Sequence, residues 1–210
     1  MKDAVPRDYS LIAPVYDKVF NRFLNEGHRQ LGSFLRKSRS PKKEIQVLEV
    51  GVGSGLTLDY LPASIRYTGI DINKRMLSLA HKKAERFKRR KISLSVMDAH
   101  RLSFKPNSFD LVLAASVITA VENPEQVMKE MVRVTKKGGK IAIVANIRNK
   151  SYRSQLVRRF DPLTKKFLGF RTDIDASYFE NIKGIRQIEN KEVNSLFGIP
   201  LSSFLVFEKI

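Results

Sequence analysis

The chain of 210 residues contains no cysteine, which excludes a disulfide framework, a thiolate metal centre and a cysteine nucleophile, and leaves packing as the source of stability. It also has no long hydrophobic run. The longest, Leu111-Val-Leu-Ala-Ala-Ser-Val-Ile118, falls far short of the roughly 20 apolar residues that a membrane-spanning helix needs. A soluble protein, or one resting on a membrane surface, is therefore expected. The opening residues lack the uninterrupted apolar stretch of a secretory signal, and Asp3 and Asp8 argue against a transit peptide, so a cytoplasmic location is expected. The histidines, His28, His81 and His100, are scattered without ligand spacing. They are read as structural or surface residues, and no metal is expected.

Negative charge is scarce as well. Against 39 Lys+Arg stand 21 Asp+Glu, a formal net charge of +18. Such an excess attracts nucleic acid or the anionic face of a membrane, unless it serves solubility alone. The charge is localised: residues 74–91 carry nine Lys/Arg and one Glu, and residues 145–172 carry eight and one Asp. In the second stretch the cations alternate with Tyr152, Leu156, Val157, Phe160, Leu163, Phe167, Leu168 and Phe170. That mixture suits a membrane interface, a nucleic-acid backbone with stacked bases, or an ordinary amphipathic cover helix.

The remaining composition, 42% hydrophobic and 29% charged, is that of a folded domain, and one domain over 1–210 is expected. Five short segments read as strands: Ile45–Val50, Arg66–Asp71, Ile92–Met97, Phe109–Ala114 and Lys140–Ala145. Several are apolar on both faces, as a parallel sheet covered by helices requires, so the fold class is α/β. Between them, Asn73 to about Arg90 reads as a helix with Met76, Leu77, Ala80, Ala84 and Phe87 on one face. Asn123-Pro124 marks the start of another, and Lys136-Lys-Gly-Gly139 supplies cations and glycine for its end. A short helix near 177–182 and two strands near 185–193 and 203–209 complete the pattern. Before the first strand, apolar residues at 15, 19, 20, 23, 24, 31, 34 and 35 trace one helical face, with Lys18, Arg22, Arg29, Arg36 and Lys37 mostly off it. Such a helix can lie in a membrane interface, close over an active site, or pack on the sheet.

The first strand runs into Glu49-Val-Gly51-Val-Gly53-Ser-Gly55, followed by the helix-compatible Leu56–Leu61. Glycines allow a tight turn and bring backbone N–H groups close to a ligand at a helix N-terminus. Asp71 ends the second strand about 20 residues later, where a carboxylate accepts both hydroxyls of a ribose. The third glycine comes one place too early for the dinucleotide fingerprint, and no Lys-Ser or Lys-Thr follows to make a P-loop.

Together these motifs resemble the class I S-adenosylmethionine-dependent methyltransferases, over roughly 45–145 and onward to the end. The resemblance implies a Rossmann-like, seven-stranded, mostly parallel sheet with an antiparallel C-terminal edge and N-terminal lid helices. It divides the chain into an amphipathic lid segment (1–44), a cofactor-binding core (45–145) and a substrate-side insertion with the last two strands (146–210). It implies S-adenosyl-L-methionine as cofactor and S-adenosyl-L-homocysteine as product. Glu49, Gly51, Gly53 and Gly55 would form the cofactor loop, and Met76 would also bind the cofactor. Asp71 would hold the ribose, Ile72 the adenine face, Asp98 and Ala99 the adenine amino group, and Ala115 and Ser116 the methyl-transfer position. Asp98 alternatively reads as a solvated loop acid or a helix cap. The sulfonium methyl is already activated, so catalysis rests on aligning a nucleophile and stripping its water.

Three passages narrow the likeness. The opening Tyr9-Ser-Leu-Ile-Ala-Pro-Val-Tyr16-Asp17-Lys-Val-Phe20, the run Val117-Ile-Thr-Ala-Val-Glu-Asn-Pro124 and the tail from Phe197 to Lys209 resemble the bacterial phospholipid N-methyltransferases, which convert phosphatidylethanolamine to phosphatidylcholine. The opening is partly shared with quinone-ring C-methyltransferases. The resemblance implies a monomer on the inner face of the cytoplasmic membrane, with Tyr9, Tyr16 and Asp17 orienting the amine. Arg148, Arg153, Arg158 and Arg159 are candidates for the lipid phosphodiester, since a guanidinium fork suits phosphate oxygens. An RNA or protein methyltransferase would use the same charge, yet no Asn-Pro-Pro-Tyr motif follows the fourth strand, where Ala114-Ala-Ser-Val117 stands.

Overall fold

Runs of Val, Ile and Leu bounded by glycine or polar turns do form the strands of this protein. The structure, a computed structural model, describes residues 26–38, 44–62, 64–87, 91–145, 174, 177–196 and 199–210. Residues 26–38 are helical (α1). There follow β1 (Ile45–Val50), a 3₁₀ turn (Leu56–Tyr60), β2 (Ile65–Asp71), α2 (Lys74–Ala84), β3 (Lys91–Val96) and β4 (Phe109–Ala115). Next come α3 (Pro124–Val134), β5 (Thr135–Ala145), the single helical turn α4 (Ser177–Glu180), β6 (Ile185–Leu196) and β7 (Ile199–Lys209).

The seven strands form one sheet in the order β3-β2-β1-β4-β5-β7-β6. Neighbours from β3 to β5 are parallel, whereas β7 pairs antiparallel with both β5 and β6. The mostly parallel sheet with an antiparallel C-terminal edge is thus present. Chain order reverses between β1 and β4, and the crevice at the carboxyl ends of those strands is where open α/β sheets bind ligands.

Two apolar layers flank the sheet. Leu48, Val50, Val112, Ala114, Ile141 and Ile143 face α3, which buries Val127, Met128, Met131 and Val134, the i, i+1, i+4, i+7 stripe of an amphipathic helix. On the opposite side Val47, Tyr67, Leu111, Leu113, Ala142 and Val144 meet Leu31 and Leu35 of α1, Leu58 of the 3₁₀ turn and Leu77 of α2. The described part of the N-terminal amphipathic segment therefore packs on the sheet, and Phe34 meets Phe204 of β7 edge to face, with ring centroids 5.9 Å apart. No helix among the described residues is long and apolar enough to cross a membrane.

Some expected boundaries differ, each for a local reason. Lys136-Lys-Gly-Gly139 does not end α3: the helix passes into β5 at Thr135, whose hydroxyl donates to the Met131 carbonyl at 2.6 Å. The four residues instead bulge between the register pairs Phe109↔Thr135 and Leu111↔Lys140, and Gly138 adopts the φ of +71° that this excursion needs. Lys136 pairs with Asp110 at 2.9 Å. The run after the glycine loop is a 3₁₀ turn, because Pro62 forces Leu61 into extended backbone (ψ 132°) and halts it. Regular α-helix in α2 stops at Ala84 and tightens into a 3₁₀ turn over Glu85–Phe87. Strands β5, β6 and β7 are longer than their apolar runs suggest.

Candidate functional site

The carboxyl ends of β1, β2, β3 and β4 bring most of the sequence-derived cofactor residues to one rim. After Val50 the chain turns through Gly51, Gly53 and Gly55 at φ +70°, +54° and +80°, which side-chain-bearing residues rarely adopt. The N–H groups of Gly51 and Val52 donate to the Ile70 carbonyl at 2.8 and 2.9 Å, tying the loop to the end of β2. Asp71 completes the tie. Its carboxylate accepts from the Gly53 N–H at 2.9 Å and from the Asn73 N–H at 2.8 Å. Asn73 then caps α2, accepting from the N–H groups of Arg75 and Met76. Burial raises the Asp71 carboxyl above its ordinary value, opposed by the backbone N–H groups of Asn73, Gly53 and Ile72.

This cradle suits an adenosine. Among the described residues, the only atom near the place a Gly53 Cβ would occupy is the Met76 Cε at 3.7 Å, so the loop presents bare backbone there. Ile72 is 68% exposed beside Asp71, an apolar face on which an aromatic base can rest. Asp71 retains acceptor capacity beyond its bonds to backbone N–H groups, since an ionised carboxylate offers about four lone-pair sites. These residues fit the cofactor that the motifs imply.

Asp98 and Ala99 follow β3, whose end is fixed to β2 by the Met97 N–H donating to the Asp71 carbonyl at 3.1 Å. The Asp98 carboxylate accepts from the His100 N–H at 2.9 Å and lies 2.7 Å from His100 Nδ1. The His100 backbone N–H, chiefly, holds its carboxyl below the usual range. On its other side His100 Nε2 lies 3.4 Å from the Asn123 N–H, and its carbonyl accepts from Gln126. His100 therefore bridges the turn after β3 to the start of α3, and Asp98 is a turn acid with half its side chain exposed.

Ala115 ends β4 at the strand-order reversal, and Ser116 follows it. Ser116 has φ +60°, uncommon for a residue other than glycine, and is held by its N–H donating to the Val144 carbonyl at 2.7 Å. The next residue, Val117, lies under the glycine loop: a Cβ on Gly51 would stand 2.6 Å from its side chain. The cofactor loop and the expected transfer position are thus in contact.

Glu49 points beneath the loop rather than out of it. Its side chain is buried, accepting from the Thr57 hydroxyl at 2.8 Å through one oxygen and from the Tyr67 hydroxyl through the other. Thr57 also lies 2.9 Å from Nδ1 of His28, which α1 contributes. Burial pushes the Glu49 carboxyl up to about 7, countered by the Tyr67 and Thr57 hydroxyls and reinforced by Asp71 nearby. Burial, then Lys83, pulls His28 down to about 4. Sequence reasoning finds Glu49 and misses the partnership of His28, Thr57 and Tyr67 with it. One signal is present: an acid in the otherwise apolar run Ile45–Val50 needs buried donors, and Thr57 and Tyr67 are polar residues in neighbouring apolar segments.

Tyr9, Tyr16, Asp17, Arg148, Arg153, Arg158 and Arg159, with most of the interleaved basic stretch, lie outside the described residues.

Residues 48–143 match the model of the methyltransferase domain family. The chain is 30% identical to a phosphatidylethanolamine N-methyltransferase of Cereibacter sphaeroides over 208 residues, covering 99% of this chain and 98% of that protein. It is 32% identical to a ubiquinone/menaquinone biosynthesis C-methyltransferase of Geotalea daltonii over 142 residues, covering 65% of this chain and 60% of that one. Among solved structures, magnesium protoporphyrin IX methyltransferase of Synechocystis PCC 6803 with bound S-adenosylhomocysteine superposes with a TM-score of 0.76 at 15% identity, covering 97% of this chain and 98% of that chain.

Proposed function

The chain belongs to the class I S-adenosylmethionine-dependent methyltransferases, and from that premise we propose that it N-methylates phosphatidylethanolamine, and its mono- and dimethyl products, at a membrane surface. The observation that carries this reading is coverage. Likeness to the phosphatidylethanolamine enzyme runs through 99% of the chain, including the segments outside the sheet core, whereas the likeness to the quinone C-methyltransferase covers 65%. Acceptor choice in this fold resides in those outer segments.

S-Adenosylmethionine supplies a methyl group already activated by its sulfonium. The work left to the protein is binding, orientation and proton management. The glycine loop, Asp71, Ile72 and Asp98 hold the cofactor, and Ser116 fixes the backbone beside the transfer position. The acceptor amine has a pKa of roughly 10, so about one molecule in a thousand is nucleophilic at neutral pH. Supplying the free amine therefore takes about 4 kcal/mol. Desolvation lowers that amount, and an acceptor beside the nitrogen takes the proton. In this reading Tyr9, Tyr16 and Asp17 orient the amine, and Arg148, Arg153, Arg158 and Arg159 supply guanidinium forks to the phosphodiester. The exposed cations Lys74, Arg75, Lys82 and Arg86 of α2 and the turn after it add attraction to an anionic bilayer.

A methyl-transfer assay with labelled S-adenosylmethionine tests this. Anionic liposomes with and without phosphatidylethanolamine, total RNA and a demethylmenaquinone are offered in parallel. Label in lipid, dependent on phosphatidylethanolamine, is the expected result. Label in the quinone or in RNA overturns the acceptor assignment.

A further inference from the structure

The buried chain His28–Thr57–Glu49–Tyr67 lies directly under the glycine loop. The groups facing Glu49 come from the elements packed around it. Thr57 belongs to the 3₁₀ turn, Tyr67 and Asp71 to β2 and His28, acting through Thr57, to α1, while β4 offers only Leu113 in register. Farther out, Lys83 of α2 pairs with Asp59 at 3.4 Å. Among the described residues no cation pairs with Glu49, and the charged group acting on it is Asp71, of like sign.

A buried carboxyl with two hydroxyl partners and no counter-ion can exist in either form. When Glu49 is ionised, Thr57 spends its single hydroxyl proton on Glu49, so His28 must donate from Nδ1. When Glu49 is neutral, its own proton goes to Thr57, whose hydroxyl turns to His28, the imidazole then holding its proton on Nε2. Both arrangements use the same heavy-atom spacings. Both also need a neutral His28, which its burial ensures.

The cofactor carries a sulfonium, an ammonium and a carboxylate, a net charge of one positive, and its demethylated product carries none. A cation held at the loop that begins two residues after this poorly solvated carboxyl would favour the carboxylate more than it would in water. We propose that Glu49 is the residue by which this site tells cofactor from spent product: the empty or product-bound loop favours its neutral acid, and the bound cationic cofactor shifts it towards the carboxylate. The O–H bond of Glu49 breaks, its proton passes to bulk buffer, and Thr57 and Tyr67 hold the resulting anion. This inference depends on the cofactor alone and holds for any acceptor.

Titration calorimetry at pH 6, 7 and 8, in two buffers of different ionisation enthalpy, tests the assignment by counting protons without turnover. Near pH 7 the wild-type chain releases a fraction of a proton on binding S-adenosylmethionine and clearly less on binding S-adenosylhomocysteine. Its preference for the cofactor grows about fivefold from pH 6 to pH 8, as a one-unit fall from about 7 in the Glu49 pKa on binding requires. Glu49→Gln abolishes the release and flattens the preference. Thr57→Val, which removes one donor from the carboxylate, moves the midpoint of the release to higher pH, and Thr57→Ser restores it. Equal proton counts for the two ligands, release that persists in Glu49→Gln, or a midpoint unmoved in Thr57→Val each overturn the proposal.

Discussion

Tyr67 and Glu49 share a hydrogen bond across the parallel pair β1–β2, and the Tyr67 ring occupies space that Gly69 leaves open: a Cβ at Gly69 would stand 3.2 Å from Tyr67 Cε1 and 2.7 Å from Leu94 Cδ2. The phenol reaches the carboxyl because Gly69, which stands in register with Glu49, has no side chain. Tyr67→Phe keeps the ring and removes the donor. Its expected destabilisation is about 2 kcal/mol at pH 8, where the lost bond served an anion, and about 1 kcal/mol at pH 5. Urea denaturation at the two pH values checks the difference.

The glycines of the loop separate conformation from contact. Gly53→Ala meets only Met76 at 3.7 Å, so its stability loss is the 1–2 kcal/mol, roughly, of a side chain in the left-handed region. The new methyl nevertheless faces the cofactor cradle, and binding falls at least tenfold. Gly51→Ala carries the same conformational strain and also strikes Val117, adding about 1–3 kcal/mol of overpacking. Melting curves and calorimetry on the pair should show that Gly53→Ala folds but binds at least about tenfold more weakly and that Gly51→Ala is markedly less stable.

Glu49 and His28 pull stability in opposite directions with pH. Glu49, raised to about 7, binds more protons folded than unfolded, so its contribution is lost as pH rises from its unfolded value of 4.5 through 7. His28, lowered to about 4, is neutral when folded, so its contribution is lost as pH falls from 6.5 through 4. The two nearly cancel between about pH 5 and 6.5. Relative to wild type, Glu49→Gln should gain stability steadily from about pH 5 to 7.5, and His28→Gln should gain it from about pH 6.5 down to 4.5. Each change is on the order of 3 kcal/mol at full span. Denaturation series across pH measure both slopes, and parallel curves for all three proteins would contradict the assignment.

Asp71→Ala removes the acceptor for the Gly53 and Asn73 N–H groups as well as the carboxylate proposed to hold the ribose. Cofactor binding should fall by at least about 100-fold, roughly the value of two charge-assisted hydrogen bonds. Sedimentation with anionic liposomes should be unchanged, because the cations proposed to meet lipid are other residues and keep their charge. Loss of liposome binding from a folded Asp71→Ala variant would join two functions that separate residues are proposed to carry.

How much of this can be read from the chain depends on how local each cause is. β1 and β4 are legible because residues buried on both sheet faces leave an unbroken apolar run, and Asn123-Pro124 starts α3 by chemistry confined to one turn. Lys136-Lys-Gly-Gly139 is ambiguous, since glycine after cations serves a helix end and a strand bulge equally well. Asp71 is legible by its spacing from the glycines, and its bonds to Gly53 and Asn73 hold it against the loop. The part played by His28 is not legible: Thr57, the residue that gives it meaning, is 29 positions away and meets it only once α1 lies across the sheet.

The last strand in the sequence is not the last in the sheet. Because β7 lies between β5 and β6, the edge of β5, with Ile141 and Ile143, stays uncovered while the chain from Ala145 to Lys209 is being made. At roughly 5–20 residues per second that interval is several seconds. During synthesis the nascent protein therefore carries a sticky parallel half-sheet next to the ribosome. Residues 146–172, made directly after that edge, carry eight Lys/Arg against one Asp, and this excess of like charge opposes association between such intermediates.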